Sequence, residues 1–298
     1  MPSFAPWSAA LAGFRLVRER PLAVLAWAGV IFLGRQVALT LITMIAGKFM
    51  PALDAAVNAK TIDPEAVLVA YQAVAPGYVA GGIALVPFGA IVIAAIYRAY
   101  LRPDESRWCF LRLGSGEAAI LVLILCLELM AMGGLAFAGA LIGALANLAA
   151  TAGDGAGAMV ELLGLAASVC AVVWGLVRLS IAWPMTFQAG RLVLFPSWAR
   201  TRSQGWTLLA AFVLAEGLMA VVAVLLFSIW LGLTGAAVVA SGGAVEQIGD
   251  ALRPPSEVAQ LFAPMPLVFS AFQSLLLALG AATLAGVAVS AYHSLDVA

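Results

Sequence analysis

The chain has 298 residues, of which 64% are hydrophobic and only 10% are charged. Its 15 basic and 15 acidic side chains balance, so the formal net charge is zero. A water-soluble globule of this length needs more polar side chains than the sequence contains, which excludes that class. The composition indicates an all-α, polytopic membrane protein.

Residues 1–20 predict a helix that lies in the membrane interface. Aromatic and aliphatic side chains recur there at helical spacing, and Arg15, Arg18 and Arg20 cluster toward its end. The alternative is a frayed N-terminus. A signal peptide is not expected, because the apolar run that follows, residues 22–47, is longer than the hydrophobic region of such peptides.

Six apolar runs are long enough to cross a bilayer, which takes about 20 helical residues. They cover residues 22–47, 78–100, 118–149, 159–184, 206–233 and 264–292. Residues 64–74 predict a short separate helix in the loop between the first two spans. We therefore expect one transmembrane domain, residues 1–298, built from three helical hairpins.

Basic residues favour the side of the membrane on which both termini lie. The N-terminal segment and the connections after the second and fourth spans carry Arg15, Arg18, Arg20, Arg98, Arg102, Arg107, Arg112, Arg191, Arg200 and Arg202. The opposite connections hold only Lys48, Lys60 and Arg253. By the positive-inside rule, this distribution predicts a bacterial inner-membrane protein with cytoplasmic N- and C-termini.

A repeat is indicated by the segments that precede spans one, three and five. Each combines aromatic residues and arginines with a helix breaker or small polar residues, and Arg18, Arg112 and Arg202 occupy equivalent places. These arginines are about 90 residues apart, the length of one hairpin unit. We expect a cytoplasmic interfacial helix before each hairpin. Together with Arg15, the three arginines are predicted to contact lipid head groups.

Each hairpin has one ionisable residue inside its first helix: Arg35, Glu128 and Glu216. They lie at similar depth, about 15 residues beyond the repeated arginines, and an arginine can hold two carboxylates through charge-assisted hydrogen bonds. The sequence therefore predicts a buried cluster. Two interpretations stay open: a clamp that fixes helix packing, or a proton- or ion-linked path for a solute.

Other polar residues at membrane depth are scattered along the spans and form no evident second layer. They include Gln36, Thr40, Thr43, Ser168, Ser228, Gln273 and Ser274. A long water-filled pathway would ordinarily need more polar residues, which favours the clamp.

Catalytic and metal-binding motifs are missing from the sequence. It has no HExxH, no GxSxG and no phosphate-binding loop, and His293 is its only histidine. The basic residues are dispersed along one membrane face, which does not favour nucleic-acid binding. We therefore predict a non-enzymatic protein with no catalytic residue, cofactor, metal site or nucleic-acid partner.

The segment 178–206 carries a pattern of an arginine, a proline six residues later, then Ser-Trp and Thr-Arg before the next span. The residues are Arg178, Pro184, Ser197, Trp198, Thr201, Arg202 and Trp206. The pattern resembles the membrane domain associated with glycerophosphoryl diester phosphodiesterases and related six-helix bacterial membrane proteins of unknown function. The resemblance implies a membrane module and no hydrolase activity.

Two functions follow from these observations as hypotheses. The first is a module that carries a solute or lipid, or assists a process at the cell envelope, with Arg35, Glu128 and Glu216 at its core. The second is a structural or partner-binding scaffold in which these residues only lock the helices together. Membrane lipids are the expected partners, together with an unidentified membrane protein.

Overall fold

In the computed structural model, residues 5–59, 63–151, 153, 155–240, 242, 249 and 255–296 are described. These residues form helices and no strand. The α-helices are α1 (Pro6–Glu19), α2 (Pro21–Ala46), α3 (Met50–Val57), α4 (Pro64–Leu101), α5 (Ser115–Ala150), α6 (Ala156–Arg178), α7 (Ala182–Ala189), α8 (Phe195–Arg200), α9 (Gly205–Ala240), α10 (Val258–Leu261) and α11 (Pro264–Asp296). Within the described ranges, six helical segments are long and apolar enough to cross a membrane, which confirms the predicted fold class.

Helix boundaries follow local chemistry. Prolines stand in the first turn of α2 and α4, where no backbone N–H is needed for the helix. Before α4, Asp63 caps the helix by accepting a hydrogen bond of 3.0 Å from the backbone N–H of Glu65. Gly190 ends α7 in the left-handed conformation, with φ of 62°.

Two predicted boundaries were wrong. Residues 64–74 are not a separate helix but the first part of α4, which continues through Pro76. The predicted span 159–184 is divided, because α6 ends at Arg178 and α7 begins at Ala182. Long apolar runs reveal a span but not whether its helix continues beyond it or breaks inside it.

The chain forms two compact units. The first comprises Met1–Ala12, Leu113–Leu214 and Ala285–Ala298, and the second comprises Gly13–Arg112 and Ala215–Leu284. Each unit has its own packing, described in turn.

In the second unit, glycines bring α4 close to α2. A Cβ atom at Gly81 would lie 3.0 Å from the carbonyl oxygen of Ala38 and 2.6 Å from Cγ1 of Ile42, so only glycine fits there. The rings of Trp230 on α9 and Phe269 on α11 lie 5.0 Å apart, within the range of favourable aromatic pairs. The two helices of the first hairpin, α2 and α4, thus pack against each other, and so do α9 and α11 of the third.

In the first unit, α5 packs against α6 and α7. Gly164 of α6 leaves room for the side chain of Ile142 on α5. Val177, Ile181, Leu208 and Ala291 form a buried apolar cluster. This cluster surrounds the break between α6 and α7, where the resemblance motif begins.

The contact between α2 and α4 generates a matched pair of substitutions. Gly81→Ala should lower the free energy of unfolding by about 1–3 kcal/mol, because the added methyl group overlaps α2. Gly82→Ala should be neutral, since a Cβ atom at that exposed neighbouring position meets nothing within 4 Å. Thermal unfolding of both purified variants in detergent measures the difference, and equal stability would show that the two helices do not pack closely at Gly81.

Candidate functional site

Four polar side chains of α2 and α11 meet in the second unit. Arg35 donates a hydrogen bond from Nη2 to Oε1 of Gln273, and Gln36 donates from Nε2 to the Ser270 hydroxyl at 3.0 Å. Ser270 and Gln273 are three residues apart and therefore share a helix face. We call this group of four the polar floor.

The polar floor lies deep within the spans. Arg35 is 11 residues before Ala46, the end of α2, which corresponds to about 16 Å along the helix. Gln273 is 9 residues after Pro264, the start of α11, or about 14 Å. Half of a bilayer's hydrocarbon core is about 15 Å thick, so each of these two residues lies about that far from one end of its helix.

A cavity of about 1010 Å³ adjoins the polar floor. Its walls come from α2, α3, α4, the segment before α11, and α11 itself. Apolar lining residues include Leu39, Ile42, Met50, Met265 and Phe269, and polar residues away from the floor include Asp54, Asn58, Tyr71, Ser256 and Gln260. The cavity therefore extends from the ends of the helices to the polar floor.

Among the described residues that line the cavity, only Arg35 and Asp54 are charged. Within the described part of the chain, Arg35 has no carboxylate within 4 Å. Its buried Nε atom and the buried Oε1 atom of Gln36 have no hydrogen-bond partner among those residues. The polar floor can therefore still donate and accept hydrogen bonds.

The predicted burial of Glu128 and Glu216 with Arg35 is wrong. Glu128 is exposed on α5, and Glu216 is exposed on α9. Arg35 instead uses the amide of Gln273 as its acceptor. Equal depth along a helix does not determine the direction in which a side chain points, and helical rotation turns both carboxylates to the surface.

The resemblance motif forms a buried hydrogen-bond network in the first unit. Arg178 donates from Nε to the Thr201 hydroxyl at 3.0 Å and from Nη2 to the carbonyl oxygen of Trp198 at 2.5 Å. The Thr201 hydroxyl lies 3.0 Å from the carbonyl oxygen of Arg178 and 2.9 Å from that of Ser197. This network ties the end of α6 to α8.

The rest of the motif surrounds this network. The guanidinium of Arg178 lies 4.6 Å from the centre of the Trp198 ring, at cation–π distance. Pro184 is buried in α7, whereas Arg202 is exposed. Trp206 is also exposed, and its ring lies 4.9 Å from that of Trp174. The structure thus assigns the buried part of the motif to helix packing.

The arginines predicted to contact lipid head groups all have exposed side chains: Arg15, Arg18, Arg112 and Arg202. Arg112 also forms an ion pair with Glu105, with 3.0 Å between Nη1 and Oε2. Lipid contact at the four positions stays a prediction.

Sequence reasoning missed the three other members of the polar floor. Gln36 and Gln273 were counted among the scattered polar residues, and Ser270 was not identified at all. One signal was available: Arg35 and Gln273 are at nearly the same depth when counted from the ends of their own helices. The comparison of depths has to include uncharged side chains, because an amide oxygen can accept from a buried arginine.

Comparison with known proteins gives no relative for this chain: no protein-family model, no curated protein and no solved structure matches it. The family resemblance of residues 178–206 stays a prediction. Among the described residues, no group of three or more histidine, cysteine, aspartate or glutamate side chains is placed to hold a metal ion.

The network around Arg178 generates a stability prediction. Arg178→Lys should lower the free energy of unfolding by about 1–3 kcal/mol, because one ammonium group cannot reach both acceptors of the guanidinium. Arg202→Lys is the matched control at an exposed position and should change stability by less than about 0.5 kcal/mol. Chemical or thermal unfolding in detergent distinguishes them, and equal losses would mean that the network contributes no stability.

The partner of Arg35 can be tested in the same way. Gln273→Leu removes its acceptor with little change in side-chain size and should cost about 1–3 kcal/mol of stability. Glu216→Gln should leave stability nearly unchanged, because the carboxylate is exposed and forms no ion pair with Arg35. A larger loss of stability for Glu216→Gln than for Gln273→Leu would instead support the predicted cluster of Arg35 with carboxylates.

Proposed function

We propose that this polytopic membrane protein binds and carries a solute or lipid in the cavity above the polar floor. Support comes from one observation: a cavity of about 1010 Å³ reaches an arginine that has no carboxylate partner among the described residues. Ligand cavities in proteins span about 300–1,000 Å³ and combine apolar walls with a few polar groups.

The role we propose is non-enzymatic. The cavity offers a cation, amides and hydroxyls, which suit binding and orientation of a ligand. Arg35 is a poor general base because its guanidinium stays protonated. Carriage, or assistance to a process at the envelope, therefore explains the cavity better than chemical conversion.

Location and orientation are part of the proposal. The arginine-rich segments support a bacterial inner membrane with both termini in the cytoplasm. The cavity is lined by the C-terminal part of α2 and the N-terminal part of α11, so in this orientation its mouth faces away from the cytoplasm. A ligand would enter from the outer side or from the outer leaflet.

A scaffold is the second candidate function, favoured by the network of Arg178 and Thr201. Both residues are buried, and they hydrogen-bond to each other and to backbone carbonyls. Such a network stabilises helix packing and binds nothing. A scaffold could leave the cavity to ordinary bilayer lipid, and its function would depend on an unidentified membrane protein partner.

Blocking the cavity should separate the two candidates. Ala263 lines the cavity, so Ala263→Trp should fill part of it and abolish a bound ligand. Native mass spectrometry of the protein released from mild detergent should show a small-molecule adduct on the wild type and none on this variant.

The control is Ala271→Trp, on an exposed position of α11 that does not line the cavity. It should keep the adduct. Adducts that survive equally in both variants, or that are missing from the wild type, would contradict binding in the cavity and leave the scaffold as the better proposal.

A further inference from the structure

We propose that the ligand of this cavity is an anionic amphiphile whose oxyanion binds Arg35 and whose hydrocarbon lies along the apolar walls. This inference rests on the proposed function and names the class of ligand. It follows from the charge, the unused hydrogen-bonding atoms, and the size and lining of the cavity.

Charge is the first argument. An arginine inside a membrane-spanning helix is costly, and such residues are normally paired. Here the acceptor of Arg35 is the neutral amide of Gln273. The other charged lining residue, Asp54, belongs to α3 and has its carboxylate at 2.9 Å from the amide nitrogen of Asn58. An oxyanion supplied by a ligand would neutralise Arg35, which no described carboxylate does.

Unused polar atoms are the second argument. A guanidinium has five N–H donors, and Nε of Arg35 has no partner among the described residues. Oε1 of the adjacent Gln36 is likewise a buried acceptor without a described donor. A head group that carries an oxyanion next to a hydroxyl or amine would satisfy both atoms. Because charge-assisted bonds are about twice as strong as neutral ones, the oxyanion should contribute most of the selectivity.

Size and lining are the third argument. A free inorganic anion would leave most of a cavity of about 1010 Å³ unfilled. The residues above the polar floor include Leu39, Ile42, Met265 and Phe269, which gain from contact with hydrocarbon and not from a hydrated ion. An amphiphile matches both the polar floor and the apolar walls.

The inference is tested with the full-length protein in nanodiscs or detergent, by native mass spectrometry or competition with a fluorescent lipid. The probes are phosphatidylglycerol and diacylglycerol with identical acyl chains, of which only the first carries an oxyanion, and inorganic phosphate as the anion without a tail. We expect the wild type to prefer phosphatidylglycerol by about tenfold or more, the size of one added charge-assisted interaction. Inorganic phosphate at equal concentration should not displace it.

Variants assign the preference to Arg35. Arg35→Gln should bind both lipids with less than about threefold preference, whereas Arg35→Lys keeps the cation and should retain part of the preference. Arg107→Gln removes an exposed arginine elsewhere in the second unit and should behave as the wild type. Loss of preference in Arg107→Gln as well would assign it to the surface and overturn the inference.

Failure of this inference differs from failure of the proposed function. If the wild type binds both lipids equally and Ala263→Trp binds neither, the cavity carries a lipid but Arg35 does not select its head group. If the wild type binds inorganic phosphate as tightly as phosphatidylglycerol, the ligand is a soluble anion and the amphiphile is wrong. If the wild type binds none of these probes but keeps an adduct that Ala263→Trp loses, the cavity binds another ligand and only the amphiphile inference is wrong. If the wild type shows no adduct either, both proposals are wrong.

Discussion

A guanidinium inside a membrane must find its hydrogen-bond acceptors in the protein, because hydrocarbon offers none. Two arginines of this chain meet that requirement differently. Arg178 bonds to Thr201 and to the backbone of Trp198, whose ring also covers it. Arg35 has one amide acceptor and a buried Nε atom that nothing in the described chain satisfies. The bonds of Arg178 complete a packing contact between helices. Arg35, in contrast, keeps hydrogen-bond donors available beside a cavity.

Helix packing in the second unit determines where the available donors of Arg35 lie. Ile42 receives the close approach of Gly81 on α4 and also lines the cavity. It is seven residues beyond Arg35, two turns of the helix, and so shares a face with it. The face of α2 that Gly81 of α4 approaches therefore also carries Arg35. Stability and the site depend on the same face of one helix.

The sequence predicts the six spans well, because composition and length decide membrane crossing almost independently of tertiary contacts. It predicts the site poorly. An ionisable residue at membrane depth needs a partner, which points to Arg35, but equal depth and opposite charge do not identify that partner, because Glu128 and Glu216 are exposed. Which side chains meet depends on the rotation of each helix about its own axis. Close contacts at small residues such as Gly81 set this rotation, and such residues are not visible in a pattern of polar positions. The bond between Arg35 and Gln273 was not predicted, because a neutral amide has no formal charge that would indicate an ionic partner.

The contrast between the two arginines also explains why the clearest sequence motif is not the best candidate for a ligand site. Arg178, at the end of α6, and Thr201, directly after α8, hydrogen-bond to each other. Two residues that must do so are constrained in type and spacing, and they therefore produce a recognisable sequence pattern. The proposed ligand site contains polar atoms without a described hydrogen-bond partner. Its residues, such as Gln36 and Gln273, need only lie at the same depth on α2 and α11. In a membrane protein, function is better sought where polar atoms stay unsatisfied than where the pattern is most regular.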